Sequence, residues 1–200
     1  MLLKNSVGNN MIAVIGKIGV GKTTFLKNLG IDNSKIFFAD EFVAKNYLLG
    51  SKLCQKIREE IGDFLLDENG VSKTKIKQWI GQNIDNLERL EKIVYQEIFT
   101  TLKNGKYELA ELPNLSNKYC DFLSLISVVL CLSNNPKKRQ KNLVKRNVDK
   151  STIMLIDAKN DPKSIKKSLF SLKPIVDIYI NNCESLEQNQ KILKLVKSIL

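Results

Sequence analysis

Apolar residues in this chain fall into short runs, and stretches of helical spacing lie between them. Met11-Ile12-Ala13-Val14-Ile15 is the first run, with the continuity expected of a strand buried on both faces of a parallel sheet. Lys35-Ile36-Phe37-Phe38 is a second strand, ending at Ala39-Asp40. Tyr107 to Leu112 is a third, stopped by Pro113. Leu125 to Leu132 is the fourth and Ile175 to Ile180 the last, closed by Asn181-Asn182. Between them, Thr23 to Leu29 reads as a short helix, and Leu53, Ile57 and Ile61 recur four residues apart. Leu87, Leu90, Val94 and Ile98 mark one face of a longer helix, with Asp67-Glu68-Asn69-Gly70 as a turn before it. Pro136 opens a very basic helix running to Arg146. Leu186 to Leu200 is an amphipathic terminal helix that should turn Ile192, Leu195, Val196 and Ile199 inward.

Strands alternating with helices predict a three-layer α/β fold on a parallel sheet. Its 200 residues suit one domain with a proper core. No repeat or linker divides the chain, so residues 11–200 read as a single domain behind a flexible leader, Met1–Asn10. A helical region at about 48–102 and a basic segment at about 136–150 are set into it.

Composition narrows the function classes. With 43% hydrophobic and 26% charged residues, the body of the chain is not a disordered segment. The excess of 32 Lys+Arg over 21 Asp+Glu, a net charge of +11, favours polyanions, which include nucleotides and phosphorylated cofactors as well as nucleic acid. No dense basic tract interleaved with aromatics is present, so nucleic acid is not the expected partner. There is no histidine, and Cys54, Cys120, Cys131 and Cys183 are widely spaced, which argues against a zinc site and for reduced thiols in a reducing compartment. The longest apolar run, Leu123 to Leu132, is too short to span a bilayer, and the N-terminus lacks a signal-peptide core. A cytoplasmic protein without a membrane partner, monomeric or weakly homo-oligomeric, is the expectation.

The most specific chemistry lies just after the first strand. Gly16-Lys17-Ile18-Gly19-Val20-Gly21-Lys22-Thr23 matches GxxxxGK[ST], and the strand before it and helix after it supply the context that motif requires. Its glycines let successive N–H groups turn toward phosphate oxygens, and the following helix adds its positive end. Gly16, Gly19, Val20, Gly21, Lys22, Thr23 and Thr24 are therefore the predicted ATP-binding residues. Lys22 is to span the outer phosphates and the Thr23 hydroxyl to ligate Mg²⁺. Asp40, at the end of the second strand, reads either as a carboxylate that orients an acceptor hydroxyl or as a helix cap. Glu111, at the end of the third, reads either as a Mg²⁺ ligand through water or as a solvated strand-end carboxylate. No hydrophobic run ends in Asp there, which weakens the case for a motor or a GTPase switch. The helix bearing Lys137, Lys138, Arg139, Lys141, Lys145 and Arg146 is either a solvated charged face or a lid over the triphosphate.

Taken in order, these features resemble the dephospho-coenzyme A kinases. That family reads a GGIGSGK[ST] loop, a DADxxAR segment, an FG…G turn region, an LExIxHPxI helix, a PLLxE segment, a basic lid and a late AD..I.N element. Here Gly16 to Thr24 resembles the loop, and Phe38-Ala39-Asp40-Glu41-Phe42-Val43-Ala44-Lys45 the DADxxAR segment with one extra residue. Ile61-Gly62 and Asn69-Gly70 fall on the turn region, and Leu90-Glu91-Lys92-Ile93-Val94-Tyr95-Gln96-Glu97-Ile98 on the helix. Glu111-Leu112-Pro113-Asn114-Leu115 falls on PLL, Pro136 to Arg146 on the lid, and Val176-Asp177 through Asn182 on the final element.

The resemblance implies a P-loop kinase fold with a helical acceptor-binding insertion and a basic lid. It implies transfer of a phosphoryl group from ATP, with Mg²⁺, to the 3′-hydroxyl of dephospho-coenzyme A. Asp40 falls on the candidate base, and Arg146 on the second of two lid arginines. The chain departs from the pattern at Phe38 for the first Asp, Lys45 for the Arg and Tyr95-Gln96 for His-Pro. It departs again at Asn117 for the Glu after PLL and Asn142 for the first lid Arg. These departures keep three rivals open: a P-loop kinase for another nucleoside or nucleotide, a non-catalytic ATP-binding descendant, and a nucleic-acid-associated ATPase.

Overall fold

The computed structural model describes residues 11–112, 114–145, 153, 157, 161–169, 171–180 and 186–198. In chain order the elements are β1 (Met11–Ile15), α1 (Lys22–Lys27), β2 (Ile36–Phe38), α2 (Ala39–Asn46), α3 (Lys52–Glu60) and β3 (Leu66–Asp67). There follow β4 (Gly70–Val71), α4 (Lys73–Gln82), α5 (Asp85–Asn104), β5 (Leu109–Glu111) and β6 (Ile126–Asn134). The last are α6 (Pro136–Lys145), α7 (Pro162–Leu169), β7 (Ile175–Ile180) and α8 (Leu186–Lys197). They divide between two compact units. One comprises the chain up to Phe38, Lys106–Asn117 and the chain from Asp121 onward, and the other comprises Ala39–Gly105 with Lys118–Cys120.

The first unit holds a five-stranded sheet in the order β2-β5-β1-β6-β7, every pair parallel. Parallel pairing needs a crossover between successive strands, and helices on the faces then bury both sides. That is why β1 is buried at all five positions and Val128 to Leu132 of β6 are buried too. Val14, Leu130, Phe25 and Leu26 join one apolar cluster, which ties α1 onto the sheet. β1 is the centre of the order, so its C-terminal end is the point where the connections diverge to either side, the usual place for a ligand crevice.

Several element boundaries shift from the sequence reading. The third strand shortens to Leu109–Glu111, because only those residues find partners on β1 and β2. The fourth runs to Asn134, preceded by a 3₁₀ turn over Phe122–Leu125. On α8 the inward side carries Asn189 and Leu193, with Ile192 partly buried against the core as expected, whereas Leu195 is 62% exposed and corrects the sequence reading. The side chain of Val196 and residues Ile199, Asn181 and Asn182 lie outside what is described.

The second unit is mainly helical. Leu53 and Ile57 of α3 are fully buried, and Leu90, Ile93 and Ile98 are buried along α5. Glu97 is buried among them and receives Lys52 at 2.9 Å and Lys56 at 2.8 Å from α3. Burial pushes its carboxyl up, but hydrogen bonds from Lys56 and Lys52 outweigh this and hold it below the ordinary carboxylate value. The predicted turn at Asp67–Gly70 is the tip of a small antiparallel hairpin, β3 on β4, too short to show alternation in sequence. Asp67 Oδ1 accepts the Asn69 amide at 2.9 Å, closing that tip.

Gly70 is required there. Its φ is +122°, and a Cβ at this position would stand 2.1 Å from Tyr47 O and 2.6 Å from Leu49 N. Both are backbone atoms, so no rotamer relieves the clash. Gly70→Ala should therefore lower stability by about 3 kcal/mol or more, a drop of roughly 6–12 °C in Tm by thermal unfolding. An unchanged midpoint would mean the hairpin moves aside at no cost.

Among the described residues no helix is long and apolar enough to cross a membrane. Cys54 and Cys131 are buried free thiols and Cys120 is a half-buried one, while Cys183 lies outside the described residues.

Candidate active site

The glycine loop leaves the C-terminal end of β1 and enters α1 at Lys22. Gly16, at φ +149°, sits so close to β6 that a Cβ would meet Leu132 O at 2.4 Å. Only glycine lets the loop begin this near the neighbouring strand. Gly19 and Gly21 also have positive φ, +80° and +102°, so the backbone curls back over the helix terminus.

Inside that curl, Lys22 Nζ donates to Gly16 O at 3.0 Å and Lys17 O at 3.4 Å, and lies 4.0 Å from Glu111 Oε1. The Thr23 hydroxyl donates to Glu111 Oε2 at 2.8 Å. Val14 of β1 and Phe38 of β2 both lie in register with Glu111, which accounts for the carboxylate's position beside the loop. Glu111 is thus a half-buried, engaged group and not the solvated strand-end carboxylate that was the alternative. Among the described residues no group of three or more His, Cys, Asp or Glu side chains could hold a metal on its own. A cation held here by Thr23 and Glu111 would take its other ligands from water and phosphate oxygens, as Mg²⁺ commonly does.

The outer side of the loop is held by the strand and helix that follow it in space. Asn134 Nδ2 donates to Val20 O at 3.0 Å, Asn142 Nδ2 to Gly19 O at 2.8 Å, and Arg139 Nε to Ile18 O at 2.9 Å. The Arg139 guanidinium also pairs with Asp157 at 2.5 Å. Beside the loop, Gly21, Thr24, Asn134, Lys138, Asn142 and Ile180 line a cleft. Thr24 is exposed and Val20 buried.

Asn142, at a position where the resembled pattern has arginine, therefore holds loop backbone. Arg139 was legible only as one charge of a basic helix, although its spacing of three from Asn142 puts both on one face. Asn134 and Asp157 gave no signal, since their roles depend on strand pairing and on a distant segment. Arg146 lies outside the described residues.

Asp40 is in the second unit, the second residue of α2 and exposed, two residues past the end of β2. It stands inside the first turn, not at the capping position that was the alternative reading. Tyr95, where the pattern has histidine, is buried on α5, with its ring centroid 6.2 Å from that of Tyr119. Burial first, and then the Glu91 charge, push its phenol far above the usual range, so it is neutral at physiological pH.

The parallel sheet in this strand order, with a glycine loop at the end of its central strand, defines a P-loop kinase. A Thermus thermophilus protein, TT1252, superposes with a TM-score of 0.66 at 17% identity, over 96% of this chain and 98% of that one. Shikimate kinase from Acinetobacter baumannii does so at 0.52 and 18%, over 94% and 93%. No family model matches the chain. In sequence it is 28% identical to the dephospho-CoA kinase of Mycoplasma pneumoniae over 146 residues, 70% of this chain and 73% of that protein. It is 24% identical to that of Mycoplasma genitalium over 198 residues, 95% and 93%. Over most of its length the chain is thus similar to dephospho-CoA kinases, and it is a phosphotransferase.

Proposed function

We propose that this chain phosphorylates the 3′-hydroxyl of dephospho-coenzyme A with Mg-ATP, giving coenzyme A and ADP. The observation that carries the reading is the Thr23–Glu111 hydrogen bond with Lys22 Nζ 4.0 Å from the same carboxylate, at the mouth of the glycine loop. A hydroxyl, a carboxylate and an ammonium gathered at loop amides are what a Mg-triphosphate needs. In this reading Gly16, Gly19, Val20, Gly21, Lys22, Thr23 and Thr24 bind ATP. Thr23 and Glu111 would hold Mg²⁺, directly or through water, and the ion would supply charge neutralisation to the phosphates.

Asp40 accepts the proton of the 3′-hydroxyl as that oxygen bonds to the γ-phosphorus. The bond from phosphorus to the β,γ-bridging oxygen breaks, and ADP leaves. Arg146 adds positive charge from the segment after α6. Lys22 supports the charge that develops on the leaving oxygen, which matters more than strong basicity when the transition state is loose.

The departures at Phe38, Lys45, Tyr95, Asn117 and Asn142 favour one second reading, a member with a changed acceptor or none. The test is ADP release from Mg-ATP with and without dephospho-coenzyme A, with the product checked for a 3′-phosphate. Acceptor-dependent turnover is expected. Turnover only with another nucleoside would move the acceptor, and nucleotide binding without turnover on any acceptor would overturn the assignment as a kinase.

A further inference from the structure

Three successive carbonyls of the glycine loop, Ile18, Gly19 and Val20, each accept a side-chain donor, and all three donors come from one stretch of chain, Asn134 to Asn142. Adjacent peptide groups whose C=O bonds are held outward must present their N–H groups on the other side. Leu143 packs on the same place: a side chain at Gly19 would meet its Cγ and Cδ2 at 3.0 Å. The strongest of the three bonds is the charged one, and the Arg139 fork is fixed at its far end by Asp157. Arg139 and Asp157 are both largely covered, with 22% and 18% of their side chains exposed, so this pair is screened less than a surface one.

We propose that Arg139, fixed by Asp157 and flanked by Asn142 and Asn134, is a positioning residue that holds the loop backbone in its phosphate-binding conformation. The inference rests on the nucleotide reading above but adds a part of the machinery that the loop motif does not contain. It also divides the basic segment by task. The stretch of α6 from Arg139 to Leu143 is fastened to the loop.

The geometry sets the expected behaviour of variants. The guanidinium makes two directed bonds at once, to a carbonyl and to a carboxylate, which a single ammonium on a flexible stem does not reproduce. Arg139→Ala should weaken Mg-ADP binding by about tenfold and raise KM for ATP in step, with kcat at saturating ATP within about threefold. Arg139→Lys should rescue little of this. Asp157→Asn should weaken binding in the same direction, and the double variant should bind no more weakly than Arg139→Ala alone.

The decisive measurements are Mg-ADP titration by calorimetry and amide hydrogen exchange of residues 18–21 without nucleotide. Faster loop exchange in Arg139→Ala is expected. Unchanged exchange and affinity would overturn the proposal while leaving the kinase reading intact. So would a loss confined to kcat and restored by Lys, which is the mark of a charge acting on the transferring group. Tighter binding by Asp157→Asn would also overturn it, since Asp157 would then be restraining the arginine. Failure of the wild-type protein to bind Mg-ADP would sink the nucleotide reading, whereas the exchange experiment tests the loop without it. Asn142→Ala, which removes one neutral bond, carries the same test at about threefold if Arg139→Ala does not fold.

Discussion

Lys22→Ala should leave a folded protein in which phosphoryl transfer falls by about 10²- to 10³-fold or more. The side chain is not part of the core: the buried apolar positions of this stretch are Val20, Phe25 and Leu26, while Lys22 lies half-covered between loop and carboxylate. Its ammonium is satisfied by Gly16 O, Lys17 O and the nearby Glu111 carboxylate. Removing it costs stability little and takes one nearby cation away from Glu111. In the proposed reading, a bound triphosphate would then lack the ammonium that follows charge onto the leaving oxygen. The measurement is ADP release under saturating dephospho-coenzyme A, with thermal unfolding as the folding control. Retention of a tenth or more of the wild-type rate would mean that Lys22 is not the phosphate cation.

Asp40→Asn should act on a different step. It keeps the side chain's size and hydrogen-bonding reach but cannot take a proton, so Mg-ATP affinity should be unchanged while kcat drops by about 10²- to 10⁴-fold. The residue is exposed and makes no capping contribution that would confuse the result with unfolding. Phe38 occupies the position of the other carboxylate in the resembled segment and is buried against the Lys27 ammonium at 5.3 Å from its ring, so it offers no substitute base. A comparison of Mg-ATP binding with single-turnover transfer separates the two effects. An unaltered transfer rate would withdraw Asp40 as the base and leave it an ordinary helix residue.

The sheet was legible because its strands are short, mostly apolar runs, most clearly at β1, where burial on both faces leaves no polar position. The loop was legible because its spacing is fixed by the phosphate it must surround. Less local features were not. The β3–β4 hairpin has two residues in each strand, too few for a period to show. On α8 an apolar residue at every third or fourth place marks two neighbouring faces, and the packing of Asn189 and Leu193 chose between them. Asn142 reads as a loss when set against an arginine in the same place, yet its amide is bonded to Gly19 O. Glu111 could be placed at a strand end, but its bond from Thr23 arises only because β5 pairs with β1 and β2 in one register.

The loop's three outer fastenings reach across 114, 121 and 123 residues of chain. During synthesis the motif emerges early, but the side chains that shape it follow more than a hundred residues later. A nascent chain that has released only β1 and α1 carries the full signature and lacks the means to hold it in form. None of the three fastenings can form before β6 and α6, which carry their donors, have been made.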